Sequence, residues 1–154
     1  MALEIERKFL VDLDKLDLQD GIGIKQGYIK TSTNTVVRAR IKGAKGFLTI
    51  KGENVGASRL EFEYEIPVSE ANEMLEKLCS KPIIDKTRYE INYKNHLWEV
   101  DVFYGDNEGL VVAEVELQSE NEEVVLPSWI KQEVTGDIKY YNNQLMENPY
   151  KNWK

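Results

Sequence analysis

Short segments in which apolar and polar residues alternate recur along most of the chain. The clearest of them cover residues 3–10, 25–31, 35–42, 46–52, 59–67, 83–93, 96–104 and 110–118. An alternation of period two is typical of β-strands, because successive strand side chains point to opposite faces. The pattern therefore predicts a mostly β domain of the α+β class, in which the strands run antiparallel and are joined by short turns.

Turn and helix signals lie between these segments. Hairpin turns are predicted at residues 43–46, 92–95 and 105–109, where Gly, Asn and Asp interrupt the alternation. A helix is predicted over residues 69–79, which follow Pro67 and repeat apolar residues at helical spacing. Two more are predicted over residues 127–134, which begin with Pro127 and Ser128, and over 138–147, while the pattern near 12–19 also allows a short helix.

The polar face of several predicted strands carries charges of a single sign. Three strands have a Glu-x-Glu pair and two have a basic pair, which places like charges next to each other on one face. The acidic pairs are Glu4 and Glu6, Glu61 and Glu63, and Glu114 and Glu116; the basic pairs are Arg38 and Arg40, and Lys86 and Arg88. Any one of these faces could simply be solvated, but neighbouring like charges repel and a water-exposed sheet face gains nothing from them.

Paired carboxylates and paired cations together indicate a site for a metal–polyphosphate complex. Mg²⁺ prefers oxygen ligands, and phosphate oxygens accept charge-assisted hydrogen bonds from Arg and Lys. If these side chains share one face, closing the sheet into a barrel would gather them in its lumen and would also remove the exposed sheet edges.

Composition narrows the classes of partner. The chain has 154 residues, and 20 Lys and Arg against 27 Asp and Glu give a formal net charge of −7. This charge disfavours binding to nucleic acid or to an anionic membrane. A lone cysteine (Cys79), a charged N-terminal segment and the lack of an 18-residue apolar run indicate a single cytoplasmic domain over residues 1–154.

The charged motifs follow one another in a definite order, beginning with EIERK at residues 4–8. The motifs that follow are Arg38-x-Arg40, Thr49-x-Lys51, Arg59-x-Glu61-x-Glu63, Lys86-x-Arg88, Asp101 and Glu114-x-Glu116. This order resembles that of the CYTH superfamily, the triphosphate tunnel metalloenzymes, whose N-terminal signature is E-x-E-x-K. The segments QGYI (26–29), WEVDVF (98–103) and EVTGD (133–137) further resemble compact bacterial members, so the resemblance covers essentially the whole chain.

This resemblance implies a closed eight-stranded antiparallel β-barrel, the triphosphate tunnel, with a few flanking helices. It implies one or two Mg²⁺ or Mn²⁺ ions as cofactors and a small triphosphate as substrate, in a monomer or a homodimer. The metal-binding carboxylates would be Glu4, Glu6, Glu61, Glu63, Glu114 and Glu116. The phosphate-binding cations would be Lys8, Arg38, Arg40, Lys51, Arg59, Lys86 and Arg88. The catalytic residues would be Glu4, Glu6, Lys8, Lys51, Arg88 and Asp101, with Asp101 orienting a basic residue.

Members of the family hydrolyse inorganic tripolyphosphate or organic triphosphates, and a minority make cyclic AMP from ATP. The cyclase-type members carry a His-Phe segment ahead of the Arg-x-Arg strand, where this chain has Gln26-Gly27-Tyr28-Ile29. We therefore expect a metal-dependent triphosphatase that removes the terminal phosphate. An adenylate cyclase of the class IV type and a non-catalytic polyphosphate-binding module are the alternatives.

Overall fold

Nine antiparallel strands form one sheet in the computed structural model, which describes residues 3–153. The strands are β1 (Leu3–Val11), β2 (Ile22–Ile29), β3 (Val36–Lys42), β4 (Lys45–Lys51), β5 (Ser58–Ile66), β6 (Ile84–Tyr93), β7 (His96–Phe103), β8 (Val111–Glu116) and β9 (Ile130–Glu133). The two α-helices within these residues are α1 (Val68–Lys77) and the single turn α2 (Asn142–Leu145).

The first eight strands close into a barrel, as the sequence predicts. Their order is β5-β4-β3-β2-β6-β7-β8-β1, and the start of β1 pairs with the start of β5 through Leu3 opposite Leu60 and Ile5 opposite Ser58. The β3–β4 turn places Gly43 at a φ of 60°, and Lys94 and Asn95 between β6 and β7 have φ values of 48° and 69°. Positive φ at both central residues gives a hairpin turn whose twist matches the twist of its strands.

The charged strand faces point into the barrel, so the apolar faces need cover from outside. On the β1, β7 and β8 wall, Phe9, Trp98 and Val115 pack with Trp129 from the segment before β9. Helix α1 packs Leu75 against Ala39 on the outer face of β3. The C-terminal segment packs Tyr140 and Leu145 against Ile84, Phe103 and Leu110 at one end of the barrel. The apolar core therefore surrounds the barrel, and its lumen stays polar.

The helix predicted over residues 127–134 is wrong, because residues 127–130 form a turn and the chain then continues as a strand. Ile130 and Glu133 pair with Val11 and Phe9 of β1, so the stretch forms β9 on the outside of the barrel. Arg7 of β1 donates two hydrogen bonds, of 2.9 and 2.8 Å, to the Glu133 carboxylate. The turn before β9 also places Trp129 against Trp98, with ring centroids 5.7 Å apart. These long-range contacts outweigh the local helix-start signal of Pro127 and Ser128.

The other helix predictions hold in part. Helix α1 begins one residue before the start of the predicted range of 69–79 and ends two residues before the end of that range. The predicted helix over 138–147 is a 3-10 turn at Ile138–Tyr140 followed by α2, and the stretch near 12–19 contains only a 3-10 turn at Leu13–Lys15. None of the helices within residues 3–153 has the length and apolarity needed to cross a membrane.

Candidate active site

The barrel lumen contains a cavity of about 200 Å³ lined almost entirely by polar and charged side chains. All residues that the sequence assigns to the site line this cavity except Asp101, which is 1% exposed and lies behind Lys86 and Arg88. The cavity is smaller than the pockets that bind drug-sized molecules, so its size suits a short chain of phosphates.

Asp101 holds two cations of β6 in place. Its carboxylate accepts hydrogen bonds from Arg88 Nε at 2.8 Å and Nη2 at 2.9 Å, and from Lys86 Nζ at 2.7 Å. Burial alone would raise the pKa of Asp101, but Arg88 and Lys86 hold it well below its usual value. Burial alone would lower the pKa of Arg88, but Asp101 raises it well above its usual value. Asp101 and Arg88 are therefore both charged across the physiological pH range.

The positive charges of Lys86 and Arg40 are less fully balanced by nearby carboxylates than the charge of Arg88 is. Burial, together with the nearby charges of Arg88 and Arg40, lowers the pKa of Lys86 from 10.5 to about 7, although Asp101 acts in the opposite direction. Burial and the charges of Arg38 and Arg88 lower the pKa of Arg40 from 12.5 to about 9. Arg40 takes part in none of the ion pairs formed within residues 3–153, and its Nε donates to the neutral Gln26 amide at 2.8 Å. This wall of the cavity carries excess positive charge.

A second group of charges links β1, β4 and β5. Lys51 Nζ lies 3.1 Å from a carboxylate oxygen of Glu4 and 3.4 Å from one of Glu61, and Arg59 Nε lies 3.4 Å from Glu4. Nearby, Glu63 accepts hydrogen bonds from Thr49 Oγ1 at 2.9 Å and Arg38 Nη2 at 3.3 Å. The carboxylates of Glu4, Glu61 and Glu63 therefore all face cations of the protein.

Glu6 and Glu114 form an acid pair on neighbouring strands β1 and β8. Burial and the charge of Glu114 raise the pKa of Glu6 well above its usual value. Burial alone would raise the pKa of Glu114 as well, but Lys8 and a hydrogen bond with Glu6 hold it well below its usual value. Burial alone would lower the pKa of Lys8, but Glu114 and Glu6 raise it. The two carboxyl groups therefore ionise as a coupled pair, in which Glu114 favours the charged form and Glu6 disfavours it.

The acidic side of the cavity suits a divalent cation by its chemistry. Burial and the charges of Glu4, Glu61 and Glu99 raise the pKa of Glu116, which indicates a local excess of negative charge. Within residues 3–153, however, no three carboxylate, imidazole or thiol groups are already gathered closely enough to hold a metal ion. The donor set fits a hard cation, and binding one requires these side chains to come closer together than they are.

The C-terminal segment contributes residues that the sequence does not indicate. Tyr141, Asn142 and Asn143 line the cavity, and the Tyr141 ring lies 5.0 Å from Lys8 Nζ and 5.7 Å from Arg59 Cζ. Gln26, Tyr28 and Glu99 also line the cavity. Strand residues two apart share a face, and this rule could have placed these three on the inner face. Gln26 and Tyr28 are two residues apart on β2, and Glu99 lies two residues before Asp101 on β7. The Tyr141–Asn143 turn has no periodic signal that would have revealed it.

Comparisons with known proteins agree with this geometry. Residues 2–150 match the CYTH domain family. An inorganic triphosphatase of Acetivibrio thermocellus is 53% identical over 155 residues, which span 100% of this chain and 99% of that protein. An inorganic triphosphatase of Nitrosomonas europaea is 38% identical over 92% of this chain and 95% of its own length. The crystal structure of the inorganic triphosphatase NE1496 superposes with a TM-score of 0.66 at 35% identity, covering 95% of each chain.

The lowered pKa of Lys86 predicts that the metal-free protein gains stability as the pH rises from about 7 towards 10.5. Over this window the unfolded chain binds a proton that the folded protein has lost, so the free energy of unfolding increases with pH by at most about 1.4 kcal/mol per unit. The measurement is the free energy of unfolding in EDTA at several pH values for wild type and for Lys86→Met.

The difference between the two proteins isolates Lys86, because Asp101 keeps both hydrogen bonds from Arg88 in the variant. We expect the wild-type stability to rise relative to that of Lys86→Met across this window. Parallel curves would show that the buried ammonium keeps an ordinary pKa.

Proposed function

The chain belongs to the CYTH domain family, and we propose that it is a metal-dependent triphosphatase that removes the terminal phosphate of inorganic tripolyphosphate. Full-length similarity to two inorganic triphosphatases supports the reaction. The observation that carries the proposal is the excess positive charge around Arg40 and Lys86, in a small cavity whose opposite side holds carboxylates. An anionic phosphate chain and a divalent cation together supply the charges that this cavity lacks.

The cations would bind the phosphate chain by direct contact. Arg groups suit this task because their planar guanidinium presents several N–H groups to phosphate oxygens. In this proposal the substrate oxygens contact Lys8, Arg38, Arg40, Lys51, Arg59, Lys86 and Arg88. Arg40 and Lys86 gain the most from a bound anion, since neither has its charge fully compensated in the protein.

The carboxylates would hold the metal, which we propose to be Mg²⁺ or Mn²⁺. The ligands, direct or through water, would be Glu4, Glu6, Glu61, Glu63, Glu114 and Glu116. When bound, such an ion supplies Lewis-acid neutralisation of phosphate charge and orients water. Glu4 and Glu61 also contact Lys51, so this lysine would stay between the acidic side of the cavity and the phosphate chain.

The reaction transfers the terminal phosphoryl group to water. The water oxygen forms a new bond to the terminal phosphorus, the bond from that phosphorus to the bridging oxygen breaks, and orthophosphate and pyrophosphate leave. Arg38, Arg40 and Arg88 would stabilise the negative charge that spreads over the phosphate oxygens in the transition state. Asp101 would keep Arg88 and Lys86 in position, and Lys86 Nζ can hold or release a proton near neutral pH.

The surroundings of the site support a small-molecule substrate. A net charge of −7 disfavours nucleic acid and anionic membranes as partners, and we propose a cytoplasmic enzyme that acts as a monomer or homodimer. A second cavity of about 730 Å³ adjoins the tunnel and shares Tyr28, Val36, Arg59 and Tyr141 with it. This space leaves room for an organic group on the triphosphate, so ATP belongs among the substrates to be tested.

Removal of divalent cations should abolish activity. We expect EDTA to stop phosphate release from tripolyphosphate, and Mg²⁺ or Mn²⁺ to restore it. Ca²⁺ should restore it poorly because its bonds are longer and its coordination is looser. The measurement is orthophosphate release from tripolyphosphate, thiamine triphosphate and ATP, with each cation added back after chelation.

Two glutamate variants test which carboxylates bind the metal. Glu116→Gln should raise the Mn²⁺ concentration needed for half-maximal activity, whereas Glu123→Gln, outside the tunnel lining, should leave it unchanged.

ATP should yield ADP and orthophosphate. Cyclic AMP as the main product would favour the cyclase alternative, and binding of tripolyphosphate without turnover would favour a binding module. Full activity after exhaustive chelation would overturn the metal requirement.

Arg40→Ala should separate function from stability. We expect kcat/KM for tripolyphosphate to fall by about 100-fold or more, because a charge-assisted phosphate contact made in the transition state is lost. The stability of the metal-free protein should stay the same or increase, since burial and neighbouring cations already disfavour the charge of Arg40. The measurements are steady-state kinetics with Mg²⁺ and a denaturation midpoint in EDTA.

Arg7→Ala is the matched control on the outer face of the same barrel. Arg7 pairs with Glu133, and 29% of its side chain is exposed. Its loss should leave kcat/KM within a factor of about 3 and cost about 1 kcal/mol of stability or less. Wild-type kinetics in Arg40→Ala would mean that the lumen cations do not bind the substrate.

A further inference from the structure

We propose that Asn142, in the C-terminal segment, is a positioning residue that orients two phosphate-binding cations, Lys86 directly and Arg40 through Gln26. The inference rests on the proposed function and adds a neutral side chain to a site otherwise recognised by its charges. The C-terminal segment would then be part of the substrate site as well as a cover for one end of the barrel.

The contacts are specific and come from distant parts of the chain. Asn142 Oδ1 accepts a hydrogen bond from Lys86 Nζ at 2.9 Å and another from Gln26 Nε2 at 3.0 Å. Gln26 is 1% exposed, and its Oε1 accepts the hydrogen bond from Arg40 Nε. The hydrogen bonds therefore run without interruption from Arg40 through Gln26 and Asn142 to Lys86, which donates to Asp101.

The direction of each bond in this series is fixed by its donors. Because Arg40 can only donate, Gln26 must turn its oxygen towards Arg40 and its NH₂ group towards Asn142 and Tyr28. As an ammonium group Lys86 can also only donate, so the Asn142 oxygen must face both Lys86 and Gln26. Lys86 thus gives two of its three N–H groups to Asp101 and Asn142, which leaves the third for a phosphate oxygen.

An amide is suited to this position because it accepts hydrogen bonds without adding charge. A carboxylate at position 142 would accept the same two bonds, but its negative charge would compensate Lys86 and compete with the phosphate chain. An apolar residue would leave one donor of Lys86 and one of Gln26 without a partner, so both side chains would be held by fewer hydrogen bonds. Asn142 therefore fixes the geometry of the cations and preserves their excess charge.

The test compares Asn142→Asp, Asn142→Ala and the control Asn148→Ala, whose side chain is exposed in the same segment. For each protein, the dissociation constant of tripolyphosphate is measured calorimetrically in EDTA, kcat and KM are measured with Mg²⁺, and the thermal midpoint is recorded. Asn142→Asp should fold at least as stably as wild type, because it keeps both hydrogen bonds and adds a partner for Lys86.

We expect Asn142→Asp to weaken tripolyphosphate binding about 30-fold or more and to raise KM by a similar factor. Asn142→Ala should weaken binding about 10-fold and also lower kcat, because its cations are charged but poorly oriented. Asn148→Ala should match wild type. If Asn142→Ala does not fold, the nearly isosteric Asn142→Asp still decides the question.

A purely structural role for Asn142 predicts a different result. In that case Asn142→Ala would have a lower thermal midpoint but would bind and hydrolyse tripolyphosphate like wild type, and the inference would be overturned. Wild-type binding and kinetics in Asn142→Asp would overturn it equally, since they would show that position 142 does not act on the phosphate-binding cations. If the wild-type protein itself neither bound nor hydrolysed tripolyphosphate, the failure would lie in the proposed function.

Discussion

The Asp101 carboxylate, shared between Lys86 and Arg88, is the interaction on which the rest of the tunnel depends. Two cations two residues apart on β6 would repel each other, and Asp101 on β7 holds both through three hydrogen bonds of 2.7 to 2.9 Å. Arg88 has a further carboxylate partner, since its Nη1 lies 3.4 Å from Glu99, whereas Asp101 is the only ion-pair partner of Lys86 within residues 3–153. Burial, together with the neighbouring cations, lowers the pKa of Lys86 to about 7 and that of Arg40 on the adjoining wall to about 9. The barrel thus retains positive charge where the proposed substrate is negative.

This arrangement explains why the core lies outside the barrel. Burying Arg40 and Lys86 with incomplete compensation costs stability, so the stabilising contacts must come from elsewhere. Phe9, Trp98 and Trp129 provide them on one wall, and helix α1 and the C-terminal segment provide them on others. The incompletely balanced charges of the lumen are compatible with a stable protein, because most of the apolar contacts lie outside the lumen.

Strand parity predicted most of the fold and of the candidate site. Charges of one sign at alternating positions, such as Arg38 and Arg40, revealed which face points inward, and closure into a barrel brings those faces together. The helix-start signals Pro127 and Ser128 misled the prediction for residues 127–134, because Trp129 and Glu133 have partners across the fold that a local pattern does not show. Gln26 and Asn142 were missed because neutral amides carry no charge signal, and their role appears only once Arg40 and Lys86 are seen to flank them.

Proton uptake on substrate binding tests the central claim most directly, namely that the lumen cations lack a negative partner which the triphosphate supplies. Calorimetric titration of tripolyphosphate into the metal-free protein at pH 8.5, in buffers of different ionisation enthalpy, gives the number of protons taken up. Subtracting the proton uptake measured for Lys86→Met removes the protons that tripolyphosphate itself takes up or releases. The account predicts that wild type takes up close to one proton more than the variant, because the bound anion restores the charge of Lys86. Equal proton exchange in the two proteins would contradict it.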